Sequence, residues 1–193
     1  VWSGAALWIW GGESADGTTY NNGALYFPAL GVAGEWQPTT AEGAPSARAR
    51  ATAVLSTVGP SRVLVWGGDG GHDNGTYGAE ELAVHGDGAI FDLGDRTWRA
   101  LPRAPIEART LHVAVMARDE MLVWGGRNAA GAVLADGAAY GVTTGRWVVL
   151  PDRGERPSGR IRHRAVWTGG QFIVWGGVGA SGEPLGDGAR LTY

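Results

Sequence analysis

The longest polar loop of the sequence, from Asp69 to His85, carries residue types that bind metal ions or transfer protons. Asp69, Asp73 and Asn74 offer carboxylate and amide oxygens, the hard ligands that Ca²⁺ takes in proteins. Their spacing does not match a complete EF-hand pattern, and the alternative is a polar surface turn rich in Gly and Asn. Calcium is therefore the one candidate cofactor, and the surface turn is the favoured interpretation.

Three arginines, Arg48, Arg109 and Arg160, recur at matching positions after proline-containing segments. A ring of guanidinium groups would suit carboxylate or sulfate ligands, because each group can bind such an anion through two hydrogen bonds. The alternative is that each arginine pairs with backbone carbonyls or an acidic neighbour and joins successive structural units. Recurrence in every unit favours this second role.

Composition excludes several classes of chemistry. The chain has 193 residues, no Cys, and 16 cationic side chains that are all Arg, with a net charge of −3. Disulfides, thiolate metal sites, cysteine nucleophiles and lysine Schiff bases are thus excluded, and no basic surface for nucleic acid is expected. No apolar run approaches the roughly 18 residues of a membrane span. The G-x-S-x-G and H-E-x-x-H motifs are also absent from the sequence.

An internal repeat organises the whole sequence. An apolar run ending in Trp-Gly-Gly occurs four times, and its Trp residues are 56, 58 and 51 positions apart: Trp10, Trp66, Trp124 and Trp175. An Asx-Gly-Ala step follows each copy, and a second Trp closes three of the units, at Trp36, Trp98 and Trp147. Short runs rich in Val, Ile, Leu, Trp and Tyr between Gly, Pro, Asp and Asn clusters predict β-strands.

Four strands per unit of about fifty residues predict the blades of a β-propeller. The run before each Trp-Gly-Gly lacks polar alternation, which is expected if neighbouring sheets cover both of its faces. The repeated second Trp is expected in the core. His112 and His163, also at a repeated position, are expected to pack and to form hydrogen bonds.

These repeats resemble the kelch family. The resemblance is carried by the double glycine after an apolar strand, the aromatic and Trp seven apart (Phe91 and Trp98; Tyr140 and Trp147), and the Pro-x-x-Arg-x-x-His pattern that follows. It implies an all-β propeller of four-stranded antiparallel blades and little about activity, because this fold hosts several functions. The copper-dependent kelch oxidases use a cysteine-modified tyrosine, so the absence of Cys excludes that activity for this segment.

The predicted organisation is one kelch-type propeller region over 1–193, with approximate blades 1–50, 51–111, 112–162 and 163–193. Val1–Gly4 matches Val166–Gly169 and is interpreted as a first strand, which gives fifteen strands and an incomplete last blade. Ala51 stands where the later units have His112 and His163. Further blades, or self-association with a second copy, are expected to close the ring, because open sheet edges promote pairing.

Residues that depart from the repeat are the better ligand-binding candidates, because the fold does not explain them. Loops from the second to the third strand, and from the fourth strand to the next blade, emerge on one face of a propeller, and binding is expected there. These candidates are His72, Asp73, Asn74, Glu80, Glu81, His85, Arg127 and Asn128, together with Tyr20, Asn21 and Glu183. The three repeated arginines, Arg48, Arg109 and Arg160, are also ligand-binding candidates on this face.

The sequence favours a non-enzymatic recognition or scaffold propeller that binds a protein or a glycan through this loop face. The alternative is a sugar-active enzyme resembling a sialic acid mutarotase, with Arg binding a carboxylate and His or Glu transferring protons. No nucleic-acid partner and no membrane span are expected. The Arg-only, Ala- and Gly-rich composition favours a bacterial, exported protein.

Overall fold

The computed structural model describes residues 1–71, 83–151 and 156–192, with the side chains of 191–192 left out. These residues form fourteen strands and no helix. In chain order the strands are β1 (Leu7–Trp10), β2 (Gly23–Phe27), β3 (Glu35–Pro38), β4 (Thr52–Ser56), β5 (Arg62–Trp66), β6 (Gly88–Asp92), β7 (Thr97–Ala100), β8 (Val113–Ala117), β9 (Glu120–Trp124), β10 (Gly137–Gly141), β11 (Arg146–Val149), β12 (Arg164–Trp167), β13 (Gln171–Trp175) and β14 (Gly188–Thr192).

The strands form four antiparallel sheets of consecutive strands: β1–β3, β4–β7, β8–β11 and β12–β14. The first strands of neighbouring sheets contact each other, β4 with β8 and β8 with β12. Radially stacked meanders of this kind are propeller blades, so the predicted all-β fold with an incomplete last blade is confirmed. Among the described residues, no helix is long and apolar enough to cross a membrane.

The predicted N-terminal strand, Val1–Gly4, is present only as a short extended segment, in which Val1 and Trp8 exchange two backbone hydrogen bonds of 2.8 Å. Trp2 pairs with Leu7 through a single bridge, and a turn held by Ser3, whose backbone N–H and hydroxyl both donate to the Ala6 carbonyl, follows at once. Gly4 has a φ of 95°, which favours glycine and ends the extended backbone. The first sheet therefore has three named strands, like the last.

The two repeated motifs of each unit pair with each other. The Trp of Trp-Gly-Gly lies opposite the Gly of Asx-Gly-Ala in every sheet, for example Trp66 opposite Gly88 and Trp124 opposite Gly137. A Cβ at Gly88 would collide with the Val65 carbonyl oxygen. Glycine is thus required where the third strand approaches the second, and this contact fixes the register of each blade.

The core lies between sheets. The apolar residues of β5 and β9 are almost fully buried, which confirms that strands lacking polar alternation are covered on both faces. The outer sheets differ: in β1, Trp8 is buried while Leu7 and Ile9 are exposed. The reason is that the first sheet has only one neighbouring sheet among the described residues.

Both terminal sheets carry exposed aromatic side chains. Trp36 is 55% exposed and Trp175 is 61% exposed, whereas Trp98 is buried and Trp147 is half-buried. The expectation that Trp36 lies in the core is therefore wrong for this chain. The closure of these faces by further blades or by a second copy stays a prediction.

The burial of the Trp-Gly-Gly tryptophans gives a test of the blade assignment. Trp66 and Trp124 are 0% and 1% exposed, so Trp66→Ala or Trp124→Ala should lower the free energy of unfolding by about 3 to 5 kcal/mol. Trp175→Ala is the matched control and should cost less than about 1 kcal/mol. Equal losses at Trp66 and Trp175 in chemical denaturation would contradict the stacked arrangement.

Candidate functional site

The repeated arginines lie at the junctions between blades. Arg109, in the loop between β7 and β8, is fully buried, and its Nη1 donates to the carbonyl oxygens of Gly125 and Asp136 at 3.2 and 3.0 Å. Its Nη1 and Nη2 also donate to the two carboxylate oxygens of Asp136, at 2.8 and 3.1 Å. One guanidinium group thus holds the second and third strands of the following blade.

Arg48 and Arg160 repeat this contact. Arg48 pairs with Asp87 and donates to the Gly67 carbonyl; Arg160 pairs with Asp187 and donates to the Gly176 carbonyl. All three arginine side chains have 0% exposure. This geometry corresponds to the junction role, because the guanidinium groups are buried behind their aspartates and do not present a ring to an external anion.

The aspartates of these pairs face outward on the loop face. The side chains of Asp87, Asp136 and Asp187 are 63%, 39% and 67% exposed. Burial raises the pKa of Asp87, but the hydrogen bond and charge of Arg48 outweigh it and hold that pKa below its usual value. The residues that the loop face presents at the junctions are therefore carboxylates.

A residue in the left-handed region follows two positions after each repeated arginine. Arg50, Leu111 and Arg162 have φ between 53° and 57°, which is uncommon for residues other than glycine. The turn places His112 edge-on against the ring of Trp66 at 5.3 Å, and His163 against Trp124 at 5.2 Å. The expected packing role of both histidines is what the geometry shows.

Both histidines are held neutral. Burial, followed by the charge of Arg109, lowers the pKa of His112 to about 3. Burial and the charge of Arg160 lower the pKa of His163 to about 4. His112 Nε2 lies 2.9 Å from the Thr52 hydroxyl in the preceding blade, whereas neither ring nitrogen of His163 has a hydrogen-bond partner among the described residues.

Asp69, the first residue of the predicted calcium site, is buried and forms an ion pair with the partly exposed Arg50. Arg50 donates to both carboxylate oxygens, and the Thr110 hydroxyl donates to Oδ2 at 2.5 Å. Arg50 also pairs with Glu13 of the first blade at 2.6 Å. The hydrogen bond to Asp69 is the largest cause that raises the pKa of Arg50. This cluster of Glu13, Arg50, Asp69 and Thr110 connects the first three blades.

The calcium site as a whole stays a prediction, because Asp73 and Asn74 lie outside the described residues. Both carboxylate oxygens of Asp69 accept hydrogen bonds from Arg50, so a calcium ion bound to Asp69 would lie beside the Arg50 cation. No group of three or more His, Asp or Glu with metal-binding geometry occurs in the described ranges.

His85 ends the same loop and lies close to Asp87, with its Nδ1 4.0 Å from the carboxylate. Burial and the charge of Arg48 lower the pKa of His85, against the opposing charges of Asp87 and Asp69. His72, Glu80 and Glu81 lie outside the described residues.

The remaining candidates do not converge on one point. Tyr20 is exposed, and the backbone of Asn21 accepts a hydrogen bond from the Trp10 indole. Arg127 is half-buried and pairs through its backbone with Thr110, and Glu183 is exposed on the last blade. Asn128 alone borders a sizeable cleft.

That cleft is a groove of about 820 Å³ between the second and third blades. Its walls are three loop segments that the meander brings together: 86–87, residues from 101–108, and 128–130. Leu101, Ala104 and Ile106 give it an apolar floor, and Asn128 donates to the Glu107 carboxylate at 2.7 Å across it. Arg103 lines the groove and has no hydrogen bond or ion pair with any described residue.

Sequence reasoning missed Asp87, Arg103 and Glu107 of this groove. Glu107 stands where the other units have Ser46 and Ser158, whose hydroxyls accept hydrogen bonds from Arg48 and Arg160. Glu107 keeps the backbone contact to the repeated arginine but directs its carboxylate to the neighbouring blade. This departure from the repeat was the signal that could have found the site.

The junction arginines give a second test. Arg109→Met should lower the free energy of unfolding by about 3 kcal/mol, because it leaves the Gly125 and Asp136 carbonyls without their buried donor. The control, Arg103→Met, should change it by less than about 0.5 kcal/mol. Urea denaturation of both variants measures the difference, and a neutral Arg109→Met would contradict the junction role.

The histidines predict a loss of stability in acid. Their pKa values are lowered on folding, so below the unfolded value of about 6.5 the unfolded chain binds more protons, and stability falls as the pH decreases. Between about pH 7 and pH 4.5 each histidine should contribute a loss of roughly 2 kcal/mol. His163→Phe should remove its share, and identical pH profiles of variant and parent in thermal melts would contradict the buried neutral state.

Comparison with known proteins agrees with the geometry. A family model described as the KLHDC2/KLHL20/DRC7 Kelch-repeats domain matches residues 61–191. The solved structure titled "Structure of YjhT" superposes with a TM-score of 0.74 at 15% identity, over 100% of this chain and 61% of that chain.

Two curated proteins are also similar. The tRNA wybutosine-synthesizing protein 4 of Rattus norvegicus is 30% identical over 166 residues, which are 81% of this chain and 22% of that protein. The protein of the same name from Homo sapiens is 42% identical over 77 residues, 39% of this chain and 11% of that protein. The chain thus spans less than a quarter of either relative. Because the family model covers more than half of the chain and the blades have the matching repeat, this chain belongs to the kelch-repeat family.

Proposed function

We propose that this chain is a non-enzymatic recognition propeller that binds a protein partner through the groove between its second and third blades. The observation that carries the proposal is this groove, which lies on the loop face and has an apolar floor beside Arg103, which pairs with none of the described residues. Family membership supports it, because kelch propellers generally bind proteins.

The groove suits an extended polypeptide segment. Leu101, Ala104 and Ile106 offer contact to an apolar side chain, and Arg103 offers a free cation to an acidic one. Asp87 is paired with Arg48, and Glu107 accepts a hydrogen bond from the uncharged Asn128. Among the described residues, Arg103 has no carboxylate partner, so its charge is available to a ligand. We therefore expect a partner segment with an acidic residue next to an apolar residue.

The other functions find less support in the described residues. The repeated arginines, which a sugar-active enzyme would use to bind a carboxylate, are buried and paired. The activity in the name of the wybutosine-synthesizing relatives belongs to proteins of which this chain spans 22% or less. A glycan ligand remains the second outcome that the test below distinguishes.

The test is selection of a random peptide display library on the immobilised protein, alongside a glycan array and a sugar mutarotation assay on the same preparation. Selected peptides should contain the acidic–apolar pair, and Arg103→Glu should weaken their binding about tenfold or more, because it reverses the charge. Arg146→Glu is the matched control, since Arg146 lies at the β10–β11 turn, on the opposite face.

Equal loss of binding in both variants would contradict the groove as the binding site. Glycan binding without peptide binding would replace the partner class. Sugar turnover that is abolished by His72→Ala or Glu80→Gln would contradict the non-enzymatic function.

A further inference from the structure

Ala51 occupies the position of a histidine that the next two blade junctions have. Arg50, Leu111 and Arg162 share the left-handed conformation, and the residue that follows each is Ala51, His112 or His163. The second glycine of Trp-Gly-Gly confirms the match, because Gly68, Gly126 and Gly177 approach these same three residues. One junction of three therefore lacks the imidazole ring.

At the complete junctions the ring fills a defined space. A Cβ at Gly67 would lie 2.6 Å from His112 Cε1, and one at Gly125 would lie 2.6 Å from His163 Cε1. Each ring covers the Trp of the preceding blade, so that Trp66 and Trp124 are almost completely buried. The imidazole ring thus fills the space between the glycine and the indole.

At the first junction the equivalent space is a cavity of about 120 Å³. Trp8, Trp10, Ala51 and Val65 give it aromatic and aliphatic walls, and Arg48 and Arg50 line its polar side. Trp10, the counterpart of Trp66 and Trp124, is only half-buried. Near Gly11, no side chain of residue 51 takes the place that His112 has near Gly67.

We propose that this cavity, which we call the Ala51 cavity, binds a small neutral heteroaromatic ring of the imidazole or pyrazole class. Its size supports this, because an engineered cavity of about 150 Å³ binds benzene in another protein. The two following junctions show that an imidazole ring edge-on to the indole fits this place in the blade. A neutral ligand is expected because the walls are mainly aromatic and aliphatic, and the guanidinium groups of Arg48 and Arg50 are already paired with carboxylates.

The experiment is titration of the chain with pyrazole and with imidazole, followed by the indole N–H resonance of Trp10 and by the melting temperature. The resonance is assigned by its loss in Trp10→Phe. Saturable shifts of this resonance and a rise in melting temperature are expected, with weak affinity for so small a ligand. Imidazole should bind less as the pH falls through its pKa, whereas pyrazole, which stays neutral, should not.

Two variants test the location. Ala51→His should place its own ring in the cavity and weaken pyrazole binding about tenfold or more, and Ala51→Leu should do so without a titratable group. His112→Ala should open the same space at the second junction and add a second site, reported by the indole of Trp66. Unchanged binding in both Ala51 variants, or no saturable shift in the parent, would overturn the proposal and indicate a cavity that holds water only.

Discussion

The buried guanidinium group at each blade junction is the contact on which this structure depends. The aspartate partner of each arginine stays in contact with water, so the main desolvation cost falls on the arginine, and three backbone carbonyls supply its remaining acceptors. One carbonyl lies two residues before the arginine, and the other two belong to the motifs that define each blade, Trp-Gly-Gly and Asx-Gly-Ala. The same contact therefore fixes the edge of one blade and the position of the next, and the loop face follows from it.

Packing around the tryptophans complements this polar contact. The histidine of a junction covers the indole of the preceding blade. Burial, and then the charge of the arginine three residues earlier, lowers its pKa and keeps it neutral. A glycine is required beneath the ring, since any Cβ would collide with it. Arg, His, Trp and Gly thus pack as one unit. Replacing one of them by a smaller residue, as at Ala51, leaves an unfilled cavity next to the other three.

The repeat made most of the fold predictable, because strand periodicity and the paired glycines are local properties of the chain. The register of β5 and β6 follows from the two motifs alone, as does the covering of β9 on both faces. The groove was not predictable in the same way, since Glu107 and Asn128 meet only after two blades have stacked. The ion pair of Asp69 with Arg50 is likewise non-local, and the residue type alone could not distinguish it from a calcium ligand.

The junction contact has a direction. Each repeated arginine precedes its blade in sequence and bonds to acceptors within that blade, so a unit of about fifty residues carries both halves of the joint. Tandem duplication of such a unit supplies a matched donor and acceptor at once, without a compensating substitution elsewhere. Modular growth of the propeller is therefore built into the local chemistry of one blade, and the side chains of the loop face are left free to diverge between copies.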